Sequence, residues 1–186
     1  MKIFGKKGIE CRYQSNKAKL AGFEGYIYGQ TKAPAAGLKY GSAEKDISSV
    51  GCGVAAIYNV MKFIGKPQSF ADVVKDAELL GLPFFGGRFG TKTKRLGRYF
   101  RLHNVNFTEY RSFEKFTKAL PGNKISIIVS WNDKITDGIH FYCVYPDEES
   151  GYKSINYYSS DRPFDFNPGN LRKDRFVIAY GFYTNT

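Results

Sequence analysis

Apolar residues follow a helical pattern in the segment that begins near residue 50. From Gly51 to Phe63 almost every position is apolar, which predicts a helix that is buried on most sides. Ser48 or Ser49 is the candidate N-cap of this helix, and Gly65 follows its last apolar residues. Polar cap residues followed by apolar residues at helical spacing predict further helices over 69–80, 91–102 and 112–120.

The pattern changes after Pro121 and Gly122. Runs rich in β-branched and aromatic residues follow, separated by Gly, Asp, Ser and Pro, and they predict strands over 124–131, 139–145, 152–158 and 175–183. Helices therefore come first and strands second, which favours an α+β domain in which a helical half packs on an antiparallel sheet.

The segment before these helices is rich in Gly and Lys and predicts short strands and loops over 1–47. We therefore expect a single domain over 1–186. Within it, 1–45 is an irregular N-terminal region, 46–122 the helical half and 123–186 the sheet half.

Composition is that of a folded globular protein with a substantial core. Hydrophobic residues make up 42% and aromatic residues 17% of 186 positions. No apolar run approaches the roughly 20 residues that cross a bilayer. The N-terminus has charge without a hydrophobic segment behind it, so no signal peptide is predicted. The compartment stays open: cytoplasmic, or secreted if this chain is a mature form.

The formal charge of +11 favours anionic partners through long-range attraction. A basic cluster contributes much of this charge, with a solvated surface as one interpretation and a patch for nucleic acid, anionic lipid or an acidic substrate as the other. Its members are Arg88, Lys92, Lys94, Arg95, Arg98 and Arg101.

Cys52 is the first candidate for chemistry, because glycines flank it at the mouth of the predicted apolar helix. The unsatisfied N–H groups and the positive end of the helix dipole favour a thiolate there. Gly51 and Gly53 would leave room for a substrate backbone. The alternative is a small buried residue at a tight helix start. The chain has 3 cysteines without paired spacing and 2 histidines, so neither a disulfide scaffold nor a metal site is expected.

His140 opens a predicted strand of the sheet half, after the turn at Asp137 and Gly138. A histidine beside Cys52 can take the thiol proton and return it to a leaving group. A further polar group then orients the imidazole. Asp161 is the first candidate for that role, and the alternatives are Asn156, Ser159 and Ser160.

These fragments resemble papain-like cysteine peptidases, above all the branch that includes the bacteriocin double-glycine leader peptidases. That branch shows a Cys-Gly-Pro-small-Ala helix start, a later Gly-Thr, a Gly-His-apolar strand and an Asp-Pro after the next strand. This chain has the corresponding segments in the same order: Cys52-Gly53-Val54-Ala55-Ala56, Gly90-Thr91, Gly138-Ile139-His140-Phe141 and Asp161-Arg162-Pro163. The resemblance covers roughly residues 46–183 in order and spacing, with Ile139 and Arg162 interrupting the usual pairs.

The resemblance implies a papain-like fold with Cys52 as nucleophile, His140 as general base and acid, and Asp161 as the residue that orients the histidine. The family places a glutamine about six residues before the cysteine as an oxyanion donor, and this chain has Asp46 there. An ionised Asp only accepts hydrogen bonds. The candidates that replace it beside the Cys52 N–H are Ser48, Ser49 and Gln30, and Asn156 is a further supporting candidate.

The sequence thus supports two functions. The first is a cysteine-nucleophile hydrolase or acyl transferase that acts on a peptide or isopeptide bond, with no metal or organic cofactor implied. The second is a catalytically degenerate papain-like binding module that uses its basic face for an anionic partner.

Overall fold

The computed structural model describes residues 2–133, 138–157 and 160–183. The helices are α1 (Lys2–Lys19), α2 (Ile47–Val50), α3 (Cys52–Phe63), α4 (Phe70–Leu79), α5 (Leu96–Leu102) and α6 (Phe113–Ala119). The strands are β1 (Lys39–Tyr40), β2 (Lys45–Asp46), β3 (Phe107–Tyr110), β4 (Ile125–Trp131), β5 (Ile139–Asp147), β6 (Gly151–Ile155), β7 (Phe164–Asp165) and β8 (Phe176–Phe182).

A six-stranded antiparallel sheet forms one half of the molecule, in the order β3-β8-β4-β5-β6-β7. Its central strands β4 and β5 pair Ser130 with His140 and Val129 with Phe141. Side chains alternate between the two faces of a strand, so His140 and Phe141 lie on opposite faces. The predicted α+β class and antiparallel sheet are confirmed.

Helix α3 packs on one face of this sheet and forms the centre of the core. Ile127, Phe141 and Cys143 from the sheet join the residues of α3 in a single buried cluster. The opposite face carries a smaller cluster with Tyr142, Val144 and Phe116 of α6. Burying a side chain of this kind contributes roughly 1.5–3 kcal/mol, which explains why α3 is apolar almost all round.

The prediction of short strands and loops over 1–47 is wrong for its first part, where α1 forms an 18-residue helix. Its apolar face is weak, and tertiary contacts hold it. The Arg12 side chain pairs with the carboxylate of Glu78 on α4 at 2.8 Å. The Asn16 amide donates to the Lys39 carbonyl and accepts from the Lys39 N–H, both at 2.9 Å.

The helices predicted over 69–80 and 112–120 and the four predicted strands agree closely with the structure. The helix predicted over 91–102 is α-helical only from Leu96. Neither Ser48 nor Ser49 caps α3, because both lie within α2 and Gly51 precedes Cys52.

Ser69 caps α4, as expected, because its hydroxyl accepts from the Asp72 N–H at 3.1 Å. Ser112 caps α6 in the same way. The short strands β1 and β2 lie within the segment where short strands were predicted, whereas β3 and β7 were not predicted. In the part of the chain that the structure describes, no helix combines the length and the apolar character that crossing a membrane requires.

Candidate active site

Cys52 is the first residue of α3, directly after the short helix α2. The flanking glycines serve the packing of the chain itself rather than an approaching substrate, which corrects our expectation. A Cβ on Gly51 would lie 2.7 Å from the Ile47 carbonyl oxygen, and one on Gly53 would lie 2.5 Å from the Thr91 side chain. Only glycine therefore allows α2 and the 90–91 segment to close around the start of α3.

The Cys52 thiol is buried, with 7% of the residue exposed. Burial raises the pKa of this thiol to about 11, while backbone N–H groups of Phe141, Gly53 and Cys52 itself act in the opposite direction. The helix start thus supplies the N–H donors that we expected. It does not produce a low thiol pKa, because desolvation is the larger effect.

His140 lies in β5, one residue before the Phe141 N–H that contacts the Cys52 sulfur. Its ring Nε2 donates to the backbone carbonyl of Asn156, and the ring stacks beside Tyr142 with centroids 6.0 Å apart. A carbonyl only accepts hydrogen bonds, so Nε2 carries the proton and Nδ1 is the basic nitrogen of the neutral ring. Burial lowers the pKa of His140, and the bond to Asn156 opposes that effect.

The structure brings Cys52 close to the backbone next to His140, while the His140 ring lies on the face of the sheet opposite Phe141 and α3. The peptide group that joins His140 to Phe141 contacts the Cys52 thiol. Within the described ranges 2–133, 138–157 and 160–183, no hydrogen bond joins the Cys52 sulfur to the His140 ring. The predicted roles of both residues in catalysis stay predictions.

Asn156 links His140 to the N-terminal region through a buried network. Its side-chain oxygen accepts from the Gln30 N–H at 2.9 Å, and its side-chain nitrogen donates at 3.2 Å to both the Gln30 side chain and the Phe141 carbonyl. The Gln30 side-chain nitrogen donates in turn to the Ser48 carbonyl at 3.1 Å. Two of the predicted supporting residues, Gln30 and Asn156, are therefore connected to the His140 strand.

The side chains of Ser49, Asp46 and Asp161 form no described hydrogen bond with this network. Ser49 is exposed, and its hydroxyl donates to the Asp46 carbonyl at 2.9 Å. Asp46 is exposed and pairs with Lys39 at 2.8 Å. Asp161 lies in an exposed bend after β6 and makes no hydrogen bond to His140 among the residues described, so its orienting role stays a prediction. Ser159 and Asp137 lie outside the described residues.

Three concavities surround the site. The thiol cavity, about 210 Å³, is lined by Cys52, Ser49, Val50, Arg88, Phe89, Gly90, Thr91, Gly138, Ile139 and Phe141. The apolar groove, about 560 Å³, shares Phe89, Thr91, Gly138 and Ile139 with it. The histidine cavity, about 260 Å³, contains His140, and Trp131 lines both this cavity and the apolar groove. Cys52 and His140 therefore face different cavities that meet along the start of β5.

Sequence reasoning missed the Phe141 N–H and the position of Arg88 at the thiol cavity. A backbone donor leaves no mark in a residue pattern, because every residue except proline has one. Arg88 belongs to the predicted basic cluster, and the adjacent run of glycines and phenylalanines was the signal for a loop at the site.

No protein-family model and no curated protein sequence matches this chain. Among solved structures, it is similar to the peptidase domain of ComA from Streptococcus, a bifunctional ABC transporter involved in a quorum-sensing pathway. The TM-score is 0.51 at 14% identity, over 72% of this chain and 91% of that one. The likeness establishes the fold, so the chain has the papain-like α+β fold of a peptidase domain, as predicted. The leader-peptidase branch within that fold stays a prediction.

Proposed function

We propose that this protein is a cysteine-nucleophile hydrolase or acyl transferase that acts on a peptide or isopeptide bond. Cys52 is the nucleophile, His140 is the general base and acid, and Asn156 orients His140. The observation that supports this most is the contact between the Cys52 sulfur and the backbone next to His140. The amide next to His140 contacts the Cys52 sulfur, and the His140 ring is held by Asn156 through Nε2.

The hydrogen bond to Asn156 supports Nδ1 as the catalytic nitrogen. With Nε2 bound to a carbonyl, the neutral ring presents its lone pair at Nδ1, which is the form that a general base requires. The role proposed here for Asn156 is therefore to hold the ring and fix its tautomer. Asp161 has the weaker claim, because it is exposed and lacks this contact in the described part of the chain.

The reaction follows from these assignments. Nδ1 of His140 takes the proton of the Cys52 thiol as the sulfur attacks the substrate carbonyl carbon. The C–N bond then breaks, the departing amine receives the proton from the imidazolium, and a thioacyl-enzyme remains. Water, or an amine in a transfer reaction, attacks the thioester and releases the acyl group with the thiol restored. The Cys52 N–H faces the developing oxyanion, and Gln30 is the candidate second donor.

The resting state is a neutral pair rather than a thiolate with an imidazolium. Burial raises the pKa of Cys52 and lowers that of His140, so at neutral pH the thiol keeps its proton and the ring lacks one. Proton transfer then accompanies attack on a bound substrate. Small alkylating reagents should consequently react slowly with Cys52, whereas reagents that occupy the substrate site should react faster.

The test is site-selective labelling by a library of peptidyl acyloxymethyl ketones with randomised side chains, located by mass spectrometry. We expect the peptidyl reagent to label Cys52 about tenfold or more faster than Cys11, because binding positions the reacting carbon. Cys11 is exposed and Cys143 is buried, so they control for accessibility and for burial. Iodoacetamide should show the reverse preference.

The variant His140→Ala completes this experiment. Labelling of Cys52 by the peptidyl reagent should fall to the rate at Cys11 or below it, while labelling of Cys11 is unchanged. Equal labelling of Cys52 in the variant and the parent would contradict the proposed role of His140. Labelling of Cys11 alone would contradict the proposed role of Cys52.

A catalytically degenerate binding module is the second candidate, and two observations favour it. The Cys52 thiol has a pKa of about 11 and lacks a hydrogen bond to His140 within the described residues. A module of this kind would retain its binding function in Cys52→Ser, whereas the proposed enzyme would lose its activity in that variant.

A further inference from the structure

We propose that the thiol cavity and the apolar groove together bind an acidic peptide segment, in which an apolar side chain occupies the groove and carboxylates lie against Arg88 and Lys94. This inference rests on the proposed function, since it names the class of substrate that the same site accepts.

The two concavities lie side by side next to Cys52 and together define the peptide path. Phe89, Thr91, Gly138 and Ile139 line both of them, so the two concavities adjoin and a peptide can lie across both. The groove is mainly apolar on its floor and walls, with Phe84, Trp131 and Val177 completing it. An apolar side chain that leaves water for this groove gains about 25 cal/mol for each Å² of surface buried.

Cationic side chains line this path at both ends. Arg88 lines the thiol cavity, and Lys94 lines the apolar groove. Both side chains are exposed. A peptide lying along the path would meet one positive charge beside Cys52 and a second beside the groove.

Other members of the basic cluster strengthen the positive potential. Lys92 and Arg95 also line the groove, and both donate to the Gly81 carbonyl just beyond the end of α4, at 2.9 and 3.5 Å. Burial lowers the pKa of Lys92, and the charges of Arg95 and Arg98 lower it further. These three cations are therefore close enough to repel one another.

Acidic side chains do not neutralise this cluster within the described part of the chain. None of the ion pairs formed there includes Arg88, Lys92, Lys94, Arg95 or Arg98. Neither concavity is lined by a described Asp or Glu residue. A concave surface with uncompensated charge of one sign attracts and orients ligands of the opposite sign. Its apolar floor selects a peptide with an apolar side chain over a uniformly charged polymer.

The experiment measures binding to the Cys52→Ala variant by fluorescence anisotropy, so that the result does not depend on turnover. Three fluorescein-labelled peptide libraries are compared, each with randomised flanks around a leucine followed by two glutamates, two glutamines or two lysines. We expect the glutamate library to bind about tenfold more tightly than the glutamine library at about 20 mM NaCl. The lysine library should bind most weakly.

Added salt and charge-reversal variants test whether the preference for glutamate is electrostatic and depends on Arg88 and Lys94. The preference for glutamate should shrink to about twofold at about 300 mM NaCl, because exposed charges are then screened. Arg88→Glu and Lys94→Glu should each remove most of the preference while leaving the glutamine library bound as before. Lys118→Glu is the matched control, because Lys118 is exposed on α6 away from both concavities. This variant should keep the preference for the glutamate library.

Equal binding of the three libraries, or binding of none of them, would overturn the proposal. Vesicles that contain phosphatidylglycerol provide a further comparison. Binding of these vesicles without a preference for the glutamate library would assign the cluster to a lipid surface and overturn the proposal as well. Failure of the labelling test with the glutamate preference intact would leave a peptide-binding surface and reject the proposed enzyme.

Discussion

The two buried cysteines of this chain lie against different parts of α3. Cys143 is fully buried in β5, and its thiol donates to the Ala56 carbonyl on the flank of the helix at 3.5 Å. Cys52 begins the helix, and its sulfur meets N–H groups from the helix start and from Phe141. One thiol therefore contacts an acceptor and the other contacts donors.

Because of this difference in contacts, the two thiols differ in pKa and in access to solvent, although both are buried. Burial raises the pKa of Cys143 far above its ordinary value, and no N–H group opposes that shift. For Cys52 the backbone donors limit the rise, so that the pKa is about 11, and the thiol cavity gives access to the sulfur. The position along α3, rather than burial alone, thus determines which cysteine is suited to become a nucleophile.

The largest difference between the two cysteines should appear in the activity of their alanine variants. Cys52→Ala should lower kcat/KM for a randomised, fluorescence-quenched peptide library by at least about a thousandfold, because the thioacyl step is lost. Cys143→Ala should retain activity within about threefold, because that thiol contacts only the helix flank. Equal losses in both variants would remove the distinction between the two cysteines.

His140→Ala should lower the same kcat/KM by about 100-fold to 10,000-fold, which is the usual contribution of a general base. The chain has 2 histidines, so His103→Ala is the matched control. The His103 ring contacts the Gln68 side chain at 2.9 Å, far along the chain from Cys52, and its removal should leave catalysis nearly unchanged. A smaller loss in His140→Ala than in His103→Ala would contradict the proposed base.

The pH dependence of alkylation tests the pKa of Cys52 directly. Only the thiolate reacts, so labelling of Cys52 by iodoacetamide in the folded protein should rise about tenfold per pH unit from about pH 8 to about pH 10. The rise should continue beyond 9.0, the ordinary thiol pKa, since burial raises the pKa of Cys52 to about 11. In denatured protein the rise should level off near the ordinary value. A plateau below 9.0 in the folded protein would contradict a buried, neutral thiol.

Asn156→Ala should reduce the free energy of unfolding by about 3 kcal/mol, because several buried hydrogen bonds to Gln30 and Phe141 are lost together. Asn59→Ala is matched to it, since the Asn59 amide forms 2.9 Å bonds with the Ile27 backbone in a buried setting. Both variants should be destabilised in urea titrations. Only Asn156→Ala should also lower kcat, and an equal effect of both on kcat would contradict an orienting role.

Cys143→Ala should give the smallest effect, a loss of about 1 kcal/mol in the free energy of unfolding. The change removes one buried sulfur atom and leaves Ala56 without its weak donor. Cys143→Ser retains a donor, and its hydroxyl can satisfy the same carbonyl. Thermal unfolding of both variants measures the effect, and a loss of activity without a loss of stability would contradict a purely structural role.

Much of the fold is predictable because the local sequence pattern agrees with the burial of each element in the tertiary structure. Helix α3 is apolar on nearly every side and is buried on nearly every side. Helix α4 has a serine cap that the structure uses. By contrast, α1 contains Gly5 and Gly8 and has little apolar periodicity, so its helical state depends on partners such as Glu78 that lie far along the chain.

The site is less predictable, because its contacts span the whole chain. Residue types and order indicated Cys52 and His140 as candidates. The bond between the Gln30 backbone and Asn156 spans 126 residues, and nothing in local sequence indicates it. The high pKa of Cys52 was missed for the same reason: the helix start is visible in the sequence, whereas the burial that outweighs it arises only in the folded chain.

The most direct test of the account is the pH profile of Cys52 labelling by the peptidyl ketone library, in the parent protein and in His140→Ala. In the parent, the rate should fall as the pH drops through a value below 6.5, because burial lowers the pKa of His140 and protonation removes the base. This acidic limb should be absent in His140→Ala. Profiles of the same shape and rate in both proteins would contradict the claim that His140 activates Cys52.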